Sequence, residues 1–157
     1  MSKLLVVEQK YIKQIIDKGI ASPVSLEIGK KFNDYISSKY SWEFTGIRID
    51  WRKNSYDKRF NWRENSDEDT ALFLQNTCLS NFSEIFVFYS VSQPGLKVSF
   101  EYAKENLDVL MCHGFGTRFL VAIKDSEDNY NTDLIYDCFI EVDKNTWLTS
   151  SIIEENR

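Results

Sequence analysis

The stretch Ile85-Phe86-Val87-Phe88-Tyr89-Ser90-Val91-Ser92-Gln93-Pro94-Gly95-Leu96-Lys97-Val98-Ser99-Phe100-Glu101-Tyr102 decides the fold class. Its first part, Ile85–Val91, is almost wholly apolar and aromatic, as expected of a central strand covered on both faces. Ser92–Gly95 reads as a turn with Pro94 and Gly95 at the type II positions. Beyond it, Leu96, Val98, Phe100 and Tyr102 alternate with Lys97, Ser99 and Glu101, the pattern of a return strand with one wet face. Short connections of this kind favour hairpins over crossovers, so the sheet is expected to be antiparallel.

Phe119–Ile123 reads as a second buried strand, and Leu134–Val142 as the last strand. Residues 104–112 fit a helix or a strand, ended by Gly114 and Gly116. Trp147–Arg157 fits a short helix or a frayed tail. Upstream, Ser66 followed by Asp69 marks a helix start, with acids at the positive end of the dipole, and the helix is expected over 67–80. Trp42 and Phe44 alternate, as do Ile47, Ile49 and Trp51, with the apolar set shifted at Thr45–Gly46. That shift predicts one bulged strand, turning at Asn54–Ser55 into a hairpin partner over 56–63. Two helices come first: residues 3–17, stopped by Gly19, and a second from Ser22 as N-cap and Pro23 at the first helical position to Lys39. The fold class is α+β: N-terminal helices packed on a mostly antiparallel, curved sheet of about six strands, in one domain over residues 1–157. The order of elements resembles the cone of the nuclear transport factor 2 family, which implies a small-ligand pocket, here around His113 or Tyr102.

The 157 residues are enough to bury a core without a metal or a disulfide. Cys78, Cys112 and Cys138 are an odd set with no close pair, so they read as free thiols in a reducing compartment. The apolar run Leu4–Val6 is too short for a secretory signal, and a cytoplasmic location is expected. The formal charge of -5, from 19 basic and 24 acidic residues, makes a poor general binder of nucleic acid or of anionic membrane. Cys112 and His113 are adjacent, so in a strand they face opposite ways and cannot form a nucleophile–base pair. Gly114-Phe115-Gly116-Thr117 lacks the elements of a phosphate loop, and neither G-x-S-x-G nor H-E-x-x-H occurs. No catalytic residue, metal or cofactor is assigned, and the chain is read as a non-enzyme.

Two segments carry unusual charge. Residues 48–63 hold Arg48, Arg52, Lys53, Lys58, Arg59 and Arg63 interleaved with Trp51, Tyr56, Phe60 and Trp62. Charge that tracks phosphates beside rings that stack on bases is the chemistry of single-stranded nucleic acid binding, for which Arg48, Arg52, Arg59, Trp62 and Arg63 are the candidates. An amphipathic hairpin with rings inward and charges in water fits the same alternation. Residues 125–143 hold Asp125, Glu127, Asp128, Asp133, Asp137, Glu141 and Asp143 with no Lys or Arg between Asp125 and Asp143. A single-signed row loses stability by self-repulsion; a basic partner would steer onto it. Asp125, Glu127, Asp128, Asp133, Asp137 and Glu141 are therefore candidate partner-binding residues, with Tyr130 and Tyr136 as anchors.

Small size, acidic charge, abundant aromatics and missing catalytic signatures together resemble the immunity proteins of bacterial polymorphic toxin systems, including contact-dependent growth inhibition. The resemblance is one of general character over the whole chain. It implies an antitoxin that binds a cognate, basic protein toxin, often a nuclease, and occludes its active site.

Overall fold

The computed structural model describes residues 3–44, 48–89, 93–111, 118–123, 136–143 and 146–153. Among these residues the fold is α+β, with helices on an open, antiparallel sheet of seven strands. The elements are α1 (Lys3–Asp17), β1 (Ala21–Val24), α2 (Leu26–Lys39), β2 (Lys58–Asn61), α3 (Asp67–Gln75), a 3-10 turn at Cys78–Asn81, β3 (Glu84–Phe88), β4 (Gly95–Ser99), α4 (Phe100–Glu105), α5 (Leu107–Met111), β5 (Arg118–Ile123), β6 (Tyr136–Val142) and β7 (Trp147–Ile152). The sheet order is β1-β4-β3-β5-β6-β7-β2, so the first two strands of the chain form its two edges.

Alternation along the central strands feeds two separate cores. Ile85 and Val87 of β3, Leu120 and Ala122 of β5 and Ile140 and Val142 of β6 face one side, under Ile12 and Ile15 of α1, Leu74 of α3 and Leu107, Leu110 and Met111 of α5. Phe86, Phe88, Phe119, Val121 and Phe139 face the other side, under Ile28, Phe32 and Ile36 of α2. Helices thus cover both faces, and α1 and α2 lie on opposite ones. The edge strand β1 between them carries the chain across.

That edge strand replaces the expected helix start. Ala21–Val24 pairs with β4, Pro23 opposite Leu96, and α2 begins after Ser25. Proline has no ladder donor, so an edge strand tolerates it; its fixed φ suits an edge and a helix start equally. Gly19 does end α1, with φ +74 and the paired bonds of a Schellman motif, Gly19 N–H to Ile16 O (3.0 Å) and Ile20 N–H to Ile15 O (2.9 Å).

Other expectations are corrected. No strand forms among the described residues of 42–51, where Trp42 and Ile49 make an isolated antiparallel bridge; 45–47 lie outside the described residues. Lys58–Asn61 pairs with β7 instead, and Trp147–Ile152 is a strand rather than a helix or tail. Gly95 begins β4 rather than occupying a left-handed turn position; a Cβ there would come within 2.8 Å of the Phe88 ring and Val87 O. The alternation through Tyr102 ends at Ser99, whose Oγ accepts the Tyr102 N–H (3.0 Å) and caps α4. Leu107–Met111 resolves the ambiguous segment as helix.

The cysteines differ too. Cys78 and Cys138 are joined in a disulfide across 60 residues, tying the 3-10 turn to β6. Tertiary proximity at that separation leaves no mark in the sequence. The expected free thiols at these two positions are thereby corrected, and Cys112 lies outside the described residues. No described helix is long and apolar enough to cross a membrane.

Phe32 is fully buried and meets four rings, Phe88, Phe119, Tyr136 and Phe139, at centroid distances of 5.1–5.9 Å. Phe32→Ala is expected to cost roughly 3–5 kcal/mol in urea denaturation. A loss below 1 kcal/mol would place the weight of this face elsewhere. Reduction of the disulfide is expected to cost roughly 2–4 kcal/mol. Recovery of the Cys78 and Cys138 peptides unlinked from air-oxidised, unreduced protein would refute the pairing.

Candidate functional site

The sheet corner formed by β6, β7 and β2 lies beyond the helical cover of α2. Register places Glu141 opposite Thr149, and Thr149 opposite Arg59, so these three side chains form one row on the α2 side. Asp143 and Trp147 follow two residues on, joined by the bond from Asp143 N–H to Trp147 O (2.8 Å). The cover here is the connection from the end of α2 to β2, and it is held by its own polar groups. Asp50 N–H donates to Ser41 O, and Glu43 N–H to Arg48 O, each at 2.9 Å. The Asn54 amide donates to Ser41 O and Asp50 O (both 2.8 Å) and accepts from Ser41 N–H (3.0 Å). Ile49 is sunk in the core beneath.

Between this loop and the strands is an open cleft of about 540 Å³, lined among others by Phe44, Trp51, Tyr56 and Trp147. Its charges are largely paired internally. Arg48 bridges two elements, donating through Nε to Glu43 (2.9 Å) and through Nη1 to Asp143. Arg52 grips Asp50 with a two-pronged fork, Nε and Nη2 each at 3.0 Å. That fork holds the Asp50 carboxyl down at about 2. Arg59 has no carboxylate partner among the described residues and lies over the Trp147 ring at 4.6 Å, with Tyr56 at 6.0 Å.

Glu141 is the exception on the floor. It is 3% exposed. The Trp51 indole N–H donates to its Oε2 at 2.5 Å. Burial nevertheless dominates and pushes its carboxyl up to about 7, against the opposing effects of Trp51, the Ile49 backbone N–H and the nearby Arg48. Among the described residues no group of three or more His, Cys, Asp or Glu is placed to hold a metal.

The basic residues read from sequence are divided by this geometry. Arg48, Arg52 and Arg59 line the cleft, the first two already ion-paired. Trp62 lies against the opposite core and donates its indole N–H to Asp143 O (3.0 Å). Arg63 is exposed. Of the acidic set, Tyr136 is buried beside Phe32 and Tyr35, Asp137 is half-buried and Glu141 is on the cleft floor. Asp125, Glu127, Asp128, Tyr130 and Asp133 lie outside the described residues, as does His113. Tyr102, the other proposed pocket group, bonds its hydroxyl to that of Tyr11 at 2.6 Å. Glu43, Phe44, Trp147 and Thr149 were not singled out as site residues. Reading 147–152 as a strand would have put Trp147 and Thr149 on one face with Glu141 and Asp143 (a spacing of two in each strand).

No family model matches this chain, and comparison with curated proteins and with solved structures finds no match.

The Glu141 carboxyl makes stability fall as pH rises. The unfolded chain gives up this proton near the ordinary value of 4.5, whereas the folded chain holds it to about 7. Across that window the native state binds more protons, so its stability declines by roughly 3 kcal/mol, and it is flat outside it. Asp50, whose value is lowered, acts only below the ordinary carboxylate range, where its contribution is lost as pH falls. In Glu141→Gln the decline between about pH 4.5 and pH 7 should vanish, as measured by urea denaturation. An unchanged slope in the variant would show that Glu141 does not titrate there.

Proposed function

We propose that the chain is a protein-binding immunity module that neutralises a cognate, basic toxin by occluding its active site. The observation that supports this most is the make-up of the cleft mouth. Phe44 is fully exposed, Tyr56 is 45% exposed, and Arg52 and Arg59 stand beside half-buried Trp51 and Trp147. Trp, Tyr and Arg around a depression are the residue types that dominate binding energy at protein interfaces. The net charge of -5 favours a basic partner by long-range steering. The single-stranded nucleic acid reading has less support, because Arg48 and Arg52 are answered by carboxylates and Trp62 is on the other face of the sheet. A small-ligand pocket is the second reading, favoured by a cleft volume of about 540 Å³, within the range that takes small molecules.

The test is capture from the native host, followed by assay of the captured polypeptide. A basic protein whose activity is abolished at one-to-one stoichiometry is the expected result. Phe44→Ala and Tyr56→Ala should each weaken that complex by more than about 1 kcal/mol, mainly through faster dissociation. Reversing Asp125, Glu127, Asp128 and Asp133 to Lys should slow association at low salt far more than at high salt. Recovery of nucleic acid alone, or a captured protein whose activity is unaffected, would remove the immunity reading.

A further inference from the structure

We propose that the floor of the cleft is a seat for one cationic side chain, an arginine or lysine of the bound partner, with Glu141 as its counter-charge and Trp51, Tyr56 and Trp147 as its walls. The inference rests on the protein-binding reading for the source of the cation, but its chemistry can be tested without any partner.

Three observations carry it. The first is the charge pairing of the cleft. Glu43 and Asp143 are met by Arg48, and Asp50 by Arg52. Glu141 receives the Trp51 indole N–H, a neutral donor, and no Lys or Arg nitrogen lies within ion-pair distance of it among the described residues. The second is burial. A carboxylate taken out of water without a cation is costly, and a glutamine would accept the same neutral hydrogen bond at no such cost. A carboxyl in that place, at the bottom of an open cleft, is a counter-charge without its cation. An incoming ammonium or guanidinium supplies the missing half of the pair. The third is the wall chemistry. Aromatic faces attract cations, and the cleft already displays this with its own Arg59 over Trp147 and near Tyr56. Arg59 is a resident cation that shares the rings with an entering one.

The charged groups around Glu141 are Glu43, Arg48, Asp50 and Arg52 on the loop, Asp143 just beyond β6 and Arg59 on β2. The Trp51 indole N–H is bonded to Glu141 itself, so its nitrogen–proton resonance reports the site directly. The probe is ethylguanidinium chloride titrated into the full chain, with sodium chloride at matched ionic strength as control. The expected result is a saturable shift of the Trp51 indole resonance near pH 8. Binding should be about tenfold weaker near pH 6, following the ionised fraction of Glu141. It should be lost in Glu141→Gln and strengthened in Arg59→Gln, which frees the rings.

The same response to sodium chloride, or an equal affinity in wild type and Glu141→Gln, overturns the seat. So does binding of acetate that is lost in Arg59→Gln, which would make the cleft an anion clamp instead. Where the variant is unstable, the pH titration of the wild-type chain decides: equal binding near pH 6 and pH 8 overturns the proposal. A captured, neutralised toxin whose affinity ignores Glu141→Gln would overturn the seat and leave the immunity reading intact. A seat without a neutralised toxin would do the reverse.

Discussion

Every residue of β5 is buried, from Arg118 to Ile123. A strand with no wet face exists only between two covering layers, and the rest of the structure follows from supplying both. One layer is assembled from α1, α3, α4 and α5. The other depends on α2 alone, which has 14 residues and is therefore about 21 Å long. Its core partners are on β3, β5 and the first half of β6, with none on β2. The remaining corner of the sheet must be covered by the loop that follows α2. A loop cannot seal a surface as a helix does, because its backbone groups need partners and its side chains are mixed. The cleft is the consequence of that geometry.

The same loop settles the charges that the sequence sets far apart. Arg48 and Asp143 are 95 residues apart, and Trp51 and Glu141 are 90 apart, yet both pairs close across the cleft. The basic, aromatic segment and the acidic end of β6 are therefore partly each other's complement. Arg48 offsets the charge of Asp143 in that row, while Glu141 is met by a neutral donor. The same geometry also explains why the rings of 48–63 divide between faces. Phe60 and Trp62 sit against the helical core, while Arg59, at odd parity, points to the cleft with Thr149.

How legible this was depended on whether the signal was local. Ile85–Phe88 and Phe119–Ile123 announce themselves because double burial leaves an unbroken apolar run. Ser66 and Gly19 announce the ends of α3 and α1 because capping chemistry acts within a few residues. Failures came where two local rules coincide. Ser22-Pro23 suits an edge strand as well as a helix start, and Phe100 and Tyr102 keep a strand-like alternation inside a helix capped by Ser99. The site was half visible. Its basic and acidic residues stood out by composition, but their meeting depends on β2 choosing β7 rather than its nearer neighbour, a long-range pairing with no sequence marker. The Cys78–Cys138 bond was invisible for the same reason.

Much of the cleft wall is held by contacts with the folded core. Trp51 is held at its nitrogen by Glu141 and at its ring by Tyr40, Tyr56 and Phe139, with centroids 5.9–6.4 Å away. Phe139 in turn packs against Phe32 of α2, so the wall of the cleft is continuous with the core. Asn54 clamps the two ends of the loop, and the Tyr40 hydroxyl bonds Ser151 of β7 at 2.7 Å. Ordering side chains on binding costs free energy for each rotamer fixed, and a site fixed during folding avoids that cost. The exposed Phe44 is then a group that still loses freedom when a partner arrives. On this view the buried Glu141 carries a folding penalty that a partner's cation relieves, and part of the stability given up in the free chain returns as binding energy in the complex.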